Sequence, residues 1–326
     1  MGNFANYAKK LDWGLIIPAI VLIIFGLTAL FSVAVAKADF ANFEKQIAFF
    51  LIGFLIMVGI SFFDYRILRN NSYLILIFYF FCLLLLVGLY IFAPMTRGTR
   101  GWYKIGPLSL DPIEPTKIIL VILLAKYFSM RHVEMYRFKH IIFSGLYVLI
   151  PALLIFLKPD LGGTAVLLSI WLGILLISGI KLKHFLILSL CFIIVAGISW
   201  IFLLKDYQKE RVVSFLVPYD YLGASWSQNQ TKISIGSGQI FGQGLAKGSQ
   251  VQYGFLPEPH TDFIFSVIAQ EWGMVGVVVL FLSYGFLVWR VLKIAIMAPS
   301  NFPRLFASGF AVILIAQFFI NIGMNL

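Results

Sequence analysis

The sequence predicts an all-α integral membrane protein, a polytopic helical bundle of about nine transmembrane helices with one long extracytoplasmic loop. Three observations carry that prediction. Of 326 residues, 61% are hydrophobic and only 12% are charged. A soluble domain carries about 25% charged residues, so a chain this apolar needs lipid as its solvent. Apolar runs lie near 13–36, 43–63, 72–93, 113–130, 141–157, 163–180, 184–204, 262–289 and 303–325, and one crossing takes roughly 17 to 25 residues. The net charge of +11 reads as an excess of Lys and Arg on one side of a membrane, and it calls for no nucleic acid.

The first run, from Trp13 to Ala36, follows a short charged segment and ends in "AVAKA", a pattern that resembles a cleavable signal peptide. It is too long for a signal core of about 7 to 15 residues, and further spans follow. It is therefore the first transmembrane helix. The polar connector "PMTRGTRGWYKIGPLSLDP" joins the third and fourth runs, and the long polar loop covers about 205–261. No soluble domain or internal repeat interrupts the chain, so residues 1–326 read as one membrane domain. Cys82 and Cys191 both sit in apolar runs. They offer no disulfide framework or metal pattern and read as buried free thiols.

Orientation follows from Lys and Arg. With the N-terminus in the cytoplasm, 13 of the 25 lie inside. Five of the outer twelve (Lys205, Lys209, Arg211, Lys232 and Lys247) belong to the long loop, which the positive-inside rule discounts. Short segments then score 13 inside against 7 outside. Of the 14 carboxylates, only Asp12, Asp64 and Glu134 fall inside. Acids gathered outside mark a working surface there or simply populate the longer loops; composition leaves both open.

The fourth run opens with "DPIEPTKIIL". Pro112 and Pro115 suit a helix entrance, where a missing amide costs little. Glu114 and Lys117 are three apart and can pair, either as an ion pair lining a cavity or with the lysine snorkelling to the interface. The sixth run opens with "KPDLGGT", where Asp160 reads as an N-cap and Gly162 and Gly163 as points of close helix approach. The glycines of "IGSGQIFGQGLAKG" do not match a nucleotide loop; a bent or re-entrant loop fits them better. Arg97, Arg100, Lys104 and Arg211 are candidates for holding a diphosphate, since arginine offers forked donors to phosphate oxygens.

The eighth run opens with "LPEPHTDFIFSVIAQEWG", carrying Glu258, His260 and Asp262 at its mouth and Glu271 inside. Two readings of Asp262 hold here. Thr261 or Asp262 caps the helix, or the positive helix end keeps an ionised Asp262 ready as a general base. Glu271 is nine residues on, about 13 Å deeper and nearly opposite on an ideal helix. A break at Gly273 or Gly276 would alter its setting. It reads as a buried, partnered structural group.

Several of these stretches carry a resemblance. "GSQVQYGFLPEPHTDFIFSVIAQEWGMVG" resembles the signature of the SEDS family of cell-wall polymerases (shape, elongation, division and sporulation). "TRGWYKIGPLSLDPIEPTK", "FLKPDLGGTA", "RVVSFLVPYDY…QTKISIGSGQIFGQGL" and "QFFINIGM" resemble its other motifs in order, over nearly the whole chain. The wording before the eighth helix is more similar to the rod-shape RodA branch than to the division FtsW branch.

The resemblance implies a peptidoglycan glycosyltransferase acting during cell elongation. It would polymerise lipid II into glycan strands on the outer face of the bacterial cytoplasmic membrane. Asp262 takes the place of the family's essential acid, the base for the acceptor sugar 4-hydroxyl. Glu114 and Lys117 fall on its fourth-helix pair and Asp160 on its sixth-helix aspartate. With His260, Arg97, Arg100 and Arg211, these are the expected substrate-binding or cavity residues. The implied partners are lipid II, undecaprenyl-linked glycan, membrane lipids, a class B penicillin-binding protein transpeptidase, and the MreC and MreD proteins. The cofactor is open, with a divalent cation as the candidate. Two competing readings are a lipid II flippase and a non-catalytic scaffold of the elongation complex.

Departures from the family's pattern are Asp111 and Ile113 in a motif that is usually Gln-Pro-Ser-Glu, and Gln270 in a usual Glu-Glu pair. The family continues through a further outer loop into a tenth helix. A chain ending at Leu326 is expected to lack that part.

Overall fold

A computed structural model describes residues 11–94, 101–106, 108–131, 138–158, 160–203, 209, 213 and 226–325. Each of the nine apolar runs forms a helix: α1 (Trp13–Lys37), α2 (Ala41–Ser61), α4 (Ser72–Phe92), α5 (Ile113–Ser129), α6 (Phe138–Leu157), α7 (Leu161–Ile177), α8 (Leu182–Ile198), α11 (Ile264–Met297) and α12 (Asn301–Asn325). A short α3 (Arg66–Asn70) lies between α2 and α4, and a hairpin of β1 (Tyr103–Ile105) and β2 (Leu108–Leu110) precedes α5. The long polar loop contains α9 (Trp226–Ser237) and α10 (Ser249–Gln252).

Seven of the helices are long and apolar enough to cross a membrane, with α8 counted through its π-helical extension to Phe202. The fourth and sixth runs give α5 and α7, helices of 17 residues each, of which α7 is apolar while α5 carries Glu114, Lys117 and Lys126. They sit at the lower edge of a spanning length of roughly 17 to 25 residues. Helix α2 has no buried residue, and α8 buries only His184. In water that would be untenable; in lipid an apolar helix face needs no protein cover. Cys82 is buried as expected, but Cys191 on α8 is exposed, because the helix that carries it presents nearly its whole circumference outward.

The described residues group into two compact units built from non-contiguous segments. The first comprises residues up to Phe63, Ile194–Arg290 and Phe319–Leu326. Its core packs Ala29 and Val33 of α1 against Val251, Leu256, Val267 and Ile268. Asp12 caps α1, accepting from Gly14 N at 3.0 Å, and its carboxylate also takes the Arg290 guanidinium at 3.0 Å. The start of α1 and position 290 of α11 thus lie together, as the Lys and Arg count places them.

The second unit comprises Asp64–Ile193 and Val291–Phe318. Leu120, Leu124 and Ala125 of α5 are fully buried there, with Ile155, Leu167, Ile170 and Ile174. Small residues let helices approach: a Cβ on Gly309 would press on Val121 and Ile174, and one on Gly145 would touch the Trp171 ring. Polar bonds then pin the helices, with Trp171 Nε1 donating to Ser144 Oγ at 3.0 Å and Tyr79 OH to the Tyr147 carbonyl at 2.9 Å. Such bonds in apolar surroundings contribute about 0.6 to 2 kcal/mol each.

Candidate active site

In the first unit, the segment Leu256–Phe263 forms a tight set of turns leading into α11. Leu256 is 3% exposed and anchors the turn in the core. Glu258 adopts a φ of +40°, and its Oε2 lies 3.5 Å from His260 Nε2. The helix begins at Ile264, and the carbonyl that takes its first amides is that of Phe263, from Ser266 N at 3.1 Å and Val267 N at 3.3 Å. The turn thus carries on one residue further than the apolar pattern suggests.

Asp262 is exposed, and its backbone is held from another helix. Its carbonyl accepts from Asn325 Nδ2 at 3.0 Å and from Asn321 Nδ2 at 3.5 Å. Beside this turn, Lys37, Asp39, Asn42, Phe43 and His260 line a cavity of about 150 Å³ with apolar residues of α1. The mouth of α11 thus combines a carboxylate on a fixed backbone, an imidazole and a small polar recess.

Nine residues on, Glu271 is 2% exposed. Its Oε1 accepts from Ser32 Oγ of α1, while Oε2 is buried with no hydrogen-bond partner among the described residues. This is the buried, partnered group the sequence suggests. The reason lies two residues beyond. At Gly273 the backbone takes φ +62° and ψ −160°, a region open essentially to glycine alone, and α11 breaks.

The glycine-rich loop fills that break. Gln243 N donates to the Gln270 carbonyl at 2.9 Å and Gly244 N to the Glu271 carbonyl at 3.0 Å. In return Met274 N donates to the Gln239 carbonyl at 2.9 Å and Val275 N to the Ile240 carbonyl at 3.1 Å. A Cβ on Gly238 or Gly242 would overlap the Ala269 or Glu271 carbonyl, and one on Gly248 would crowd the Gln270 side chain. Gly238 and Gly242 of "IGSGQIFGQGLAKG" let one backbone lie against another. The loop is bent, as its sequence suggests.

The second unit holds the other predicted residues. Pro112 flanks α5, and Asp111 Oδ1 accepts from Ile113 N at 2.9 Å. Lys117 Nζ meets Glu114 Oε1 at 2.7 Å; the lysine side chain is 5% exposed and the glutamate 62%. The lysine does not snorkel. Gln317 of α12 approaches Glu114 Oε2 at 3.5 Å. Asp160 caps α7 by accepting from Gly163 N at 2.8 Å. The glycine there serves both the cap and a close approach of α6: a Cβ on Gly163 would stand 2.7 Å from Asp160 Oδ2 and 3.3 Å from Ile155 Cγ2.

Lys158, which the sequence reading passes over inside "FLKPDLGGTA", is 7% exposed and donates to the Gly101 carbonyl at 3.3 Å. Burial lowers its pKa, partly offset by Asp111 and Asp160. Burial likewise raises the pKa of Asp111, against the pull of the Ile113 amide and Lys158. These groups form a compact charged cluster at the entrances of α5 and α7. Arg97, Arg100 and Arg211 lie outside the described residues. Among the described residues, no three His, Cys, Asp or Glu side chains gather as a metal site would need.

The fold and this mouth define a class: a multi-pass helical membrane protein whose exposed acid stands at the head of a broken helix. Residues 12–326 match the family described as Cell cycle protein, the FtsW, RodA and SpoVE group, and the chain belongs to it. It is 34% identical to the peptidoglycan glycosyltransferase MrdB of Escherichia coli (strain K12), over 98% of this chain and 87% of that protein. It is similar, at a TM-score of 0.81 and 30% identity, to a chain in a structure described as "Structural coordination of polymerization and crosslinking by a peptidoglycan synthase complex", covering 97% of this chain and 88% of that one. The crystal structure of the rod-shape-determining protein RodA of Thermus thermophilus matches at a TM-score of 0.67 and 27% identity, over 96% and 85% of the two chains.

Proposed function

We propose that this chain is a peptidoglycan glycosyltransferase that polymerises lipid II on the outer face of the bacterial cytoplasmic membrane, with its N-terminus in the cytoplasm. The observation that carries the reading is Asp262, an exposed acid whose backbone is clamped at the head of α11. Its family membership and its likeness to a protein named a peptidoglycan glycosyltransferase support it. Asp262 takes the proton of the acceptor sugar 4-hydroxyl. The oxygen bonds to the donor's anomeric carbon, the bond from that carbon to the diphosphate breaks, and undecaprenyl diphosphate leaves. A base so placed contributes about 10²- to 10⁴-fold to the rate.

His260, Glu114, Lys117 and Asp160, with Arg97, Arg100 and Arg211, are the residues we assign to substrate. The partner we assign is a class B penicillin-binding protein transpeptidase, with MreC and MreD in an elongation complex. A flippase would need charged groups along a path through the bilayer. Glu271 is the deep charged group, and its Oε1 is tied to Ser32 of α1, which favours catalysis over transport. The test is strand formation from lipid II in liposomes with a partner transpeptidase, for this chain and for Asp262→Asn. Strands from the first alone support the reading. Strands from both would overturn the base, and strands abolished without loss of partner binding would exclude a pure scaffold.

A further inference from the structure

Asn325 stands at the last turn of α12 and is fully buried. Its amide makes three hydrogen bonds at once. Nδ2 donates to the Asp262 carbonyl at 3.0 Å and to the Asn321 carbonyl at 2.7 Å, while Oδ1 accepts from Ser266 Oγ at 2.7 Å. Both donors and one acceptor lone pair are used, which fixes which way the amide faces. Asn321 adds a longer contact to the same Asp262 carbonyl.

A buried polar side chain in this position needs a reason, since leaving its partners unpaired is costly. The asparagine does something a leucine cannot: it ties the backbone of the reacting residue to a second helix. Asp262 belongs to a turn, not to α11 proper, and a turn residue left alone would wander. Asp262 meanwhile stays exposed, because the clamp acts on its carbonyl.

We infer that Asn325 is a positioning residue for the glycosyl transfer, acting through the backbone of Asp262 and not on the substrate. The inference rests on the reading of Asp262 as the base. A displacement of about 1 Å at a reacting group costs on the order of 10²-fold in rate. The clamp is therefore expected to show in kcat, while substrate affinity, built from other residues, stays.

The experiment compares steady-state polymerisation and thermal unfolding of the full chain in lipid with those of Asn325→Ala, Asp262→Asn and Ser144→Ala. Ser144→Ala removes a buried interhelical bond elsewhere and reports what a purely structural loss does. Asn325→Ala is expected to lower kcat about 10- to 100-fold with KM unchanged, whereas Ser144→Ala lowers the melting temperature and leaves kcat per folded molecule alone. Where Asn325→Ala does not accumulate, Asn325→Ser, which keeps a shorter donor, is judged by the same split. A kcat equal to the wild type, or a loss that only tracks the melting temperature as in Ser144→Ala, overturns the inference. An inactive Asp262→Asn beside a fully active Asn325→Ala overturns this inference alone. An active Asp262→Asn overturns the base reading and this inference with it.

Discussion

Asp262 and Glu271 stand nine residues apart on one stretch of chain, and the fold treats them in opposite ways. Asp262 is exposed and is held by its backbone, through Asn325. Glu271 is buried and is held by its carboxylate, through Ser32. The difference separates two kinds of costly acid. One stays exposed while its main chain is fixed. The other uses its carboxylate as an internal tie between α1 and α11. An acid in a membrane helix invites a functional reading, and here only the first of the two retains the geometry for one.

The contrast can be broken by experiment. The largest effect is expected at its functional pole: Asp262→Asn should lower the strand-forming rate by about 10²- to 10⁴-fold without changing the melting temperature. Next comes the break that gives Glu271 its setting. Gly273→Ala forces a side chain into a backbone region that only glycine occupies, where the strain alone costs about 1 to 3 kcal/mol. Its Cβ would also overlap loop backbone at Ile240 and Gly242. The expected result is a total loss of about 3 kcal/mol or more, or failure to accumulate in the membrane, and a variant as stable as the parent would refute the docked loop. Glu271→Ala should follow at about 1 to 3 kcal/mol, the cost of leaving its donors unmatched, read as a lower midpoint in thermal unfolding. If it instead abolished turnover in a protein of normal stability, the structural role would be wrong.

The smallest effect lies in the second unit, where half-buried Asp111 sits near exposed Glu114. Burial raises the Asp111 pKa, so the folded state prefers the protonated acid. That contribution is fully present below the unfolded value, about 3.9, and is lost as pH rises through the raised folded value. Asp111→Asn keeps the acceptor for Ile113 N and removes the titration. The melting temperature of the variant should therefore gain on the parent as pH rises from about 4 towards neutrality. A difference independent of pH would show that Asp111 does not titrate differently in the fold.

Much of this was legible in the residues. Nine apolar runs became helices because lipid demands satisfied backbones over a fixed thickness, and that demand leaves a plain trace in composition. The Glu114–Lys117 pair and the Asp160 cap were legible because their partners are three residues away. What escaped was long-range. The glycine spacing marked a bent loop but could not name the break at Gly273 as its partner, some thirty residues on. Asn325 drew no notice in the sequence, because its partners Asp262 and Ser266 lie about sixty residues back. Lys158 carried no mark in the sequence, because the groups that act on it, Gly101, Asp111 and Asp160, include two some fifty residues back.

The interlocked break also constrains how the chain assembles. Gly273 can leave the helical path only when Gln239, Ile240, Gln243 and Gly244 are present to exchange hydrogen bonds with Gln270, Glu271, Met274 and Val275. In hydrocarbon each unmatched group would cost several kcal/mol. The segment must therefore enter the bilayer as a continuous rod and fracture only as the earlier loop arrives. Assembly at this point has an order, with insertion first and docking second. The two stretches gain protection from solvent exchange as one event.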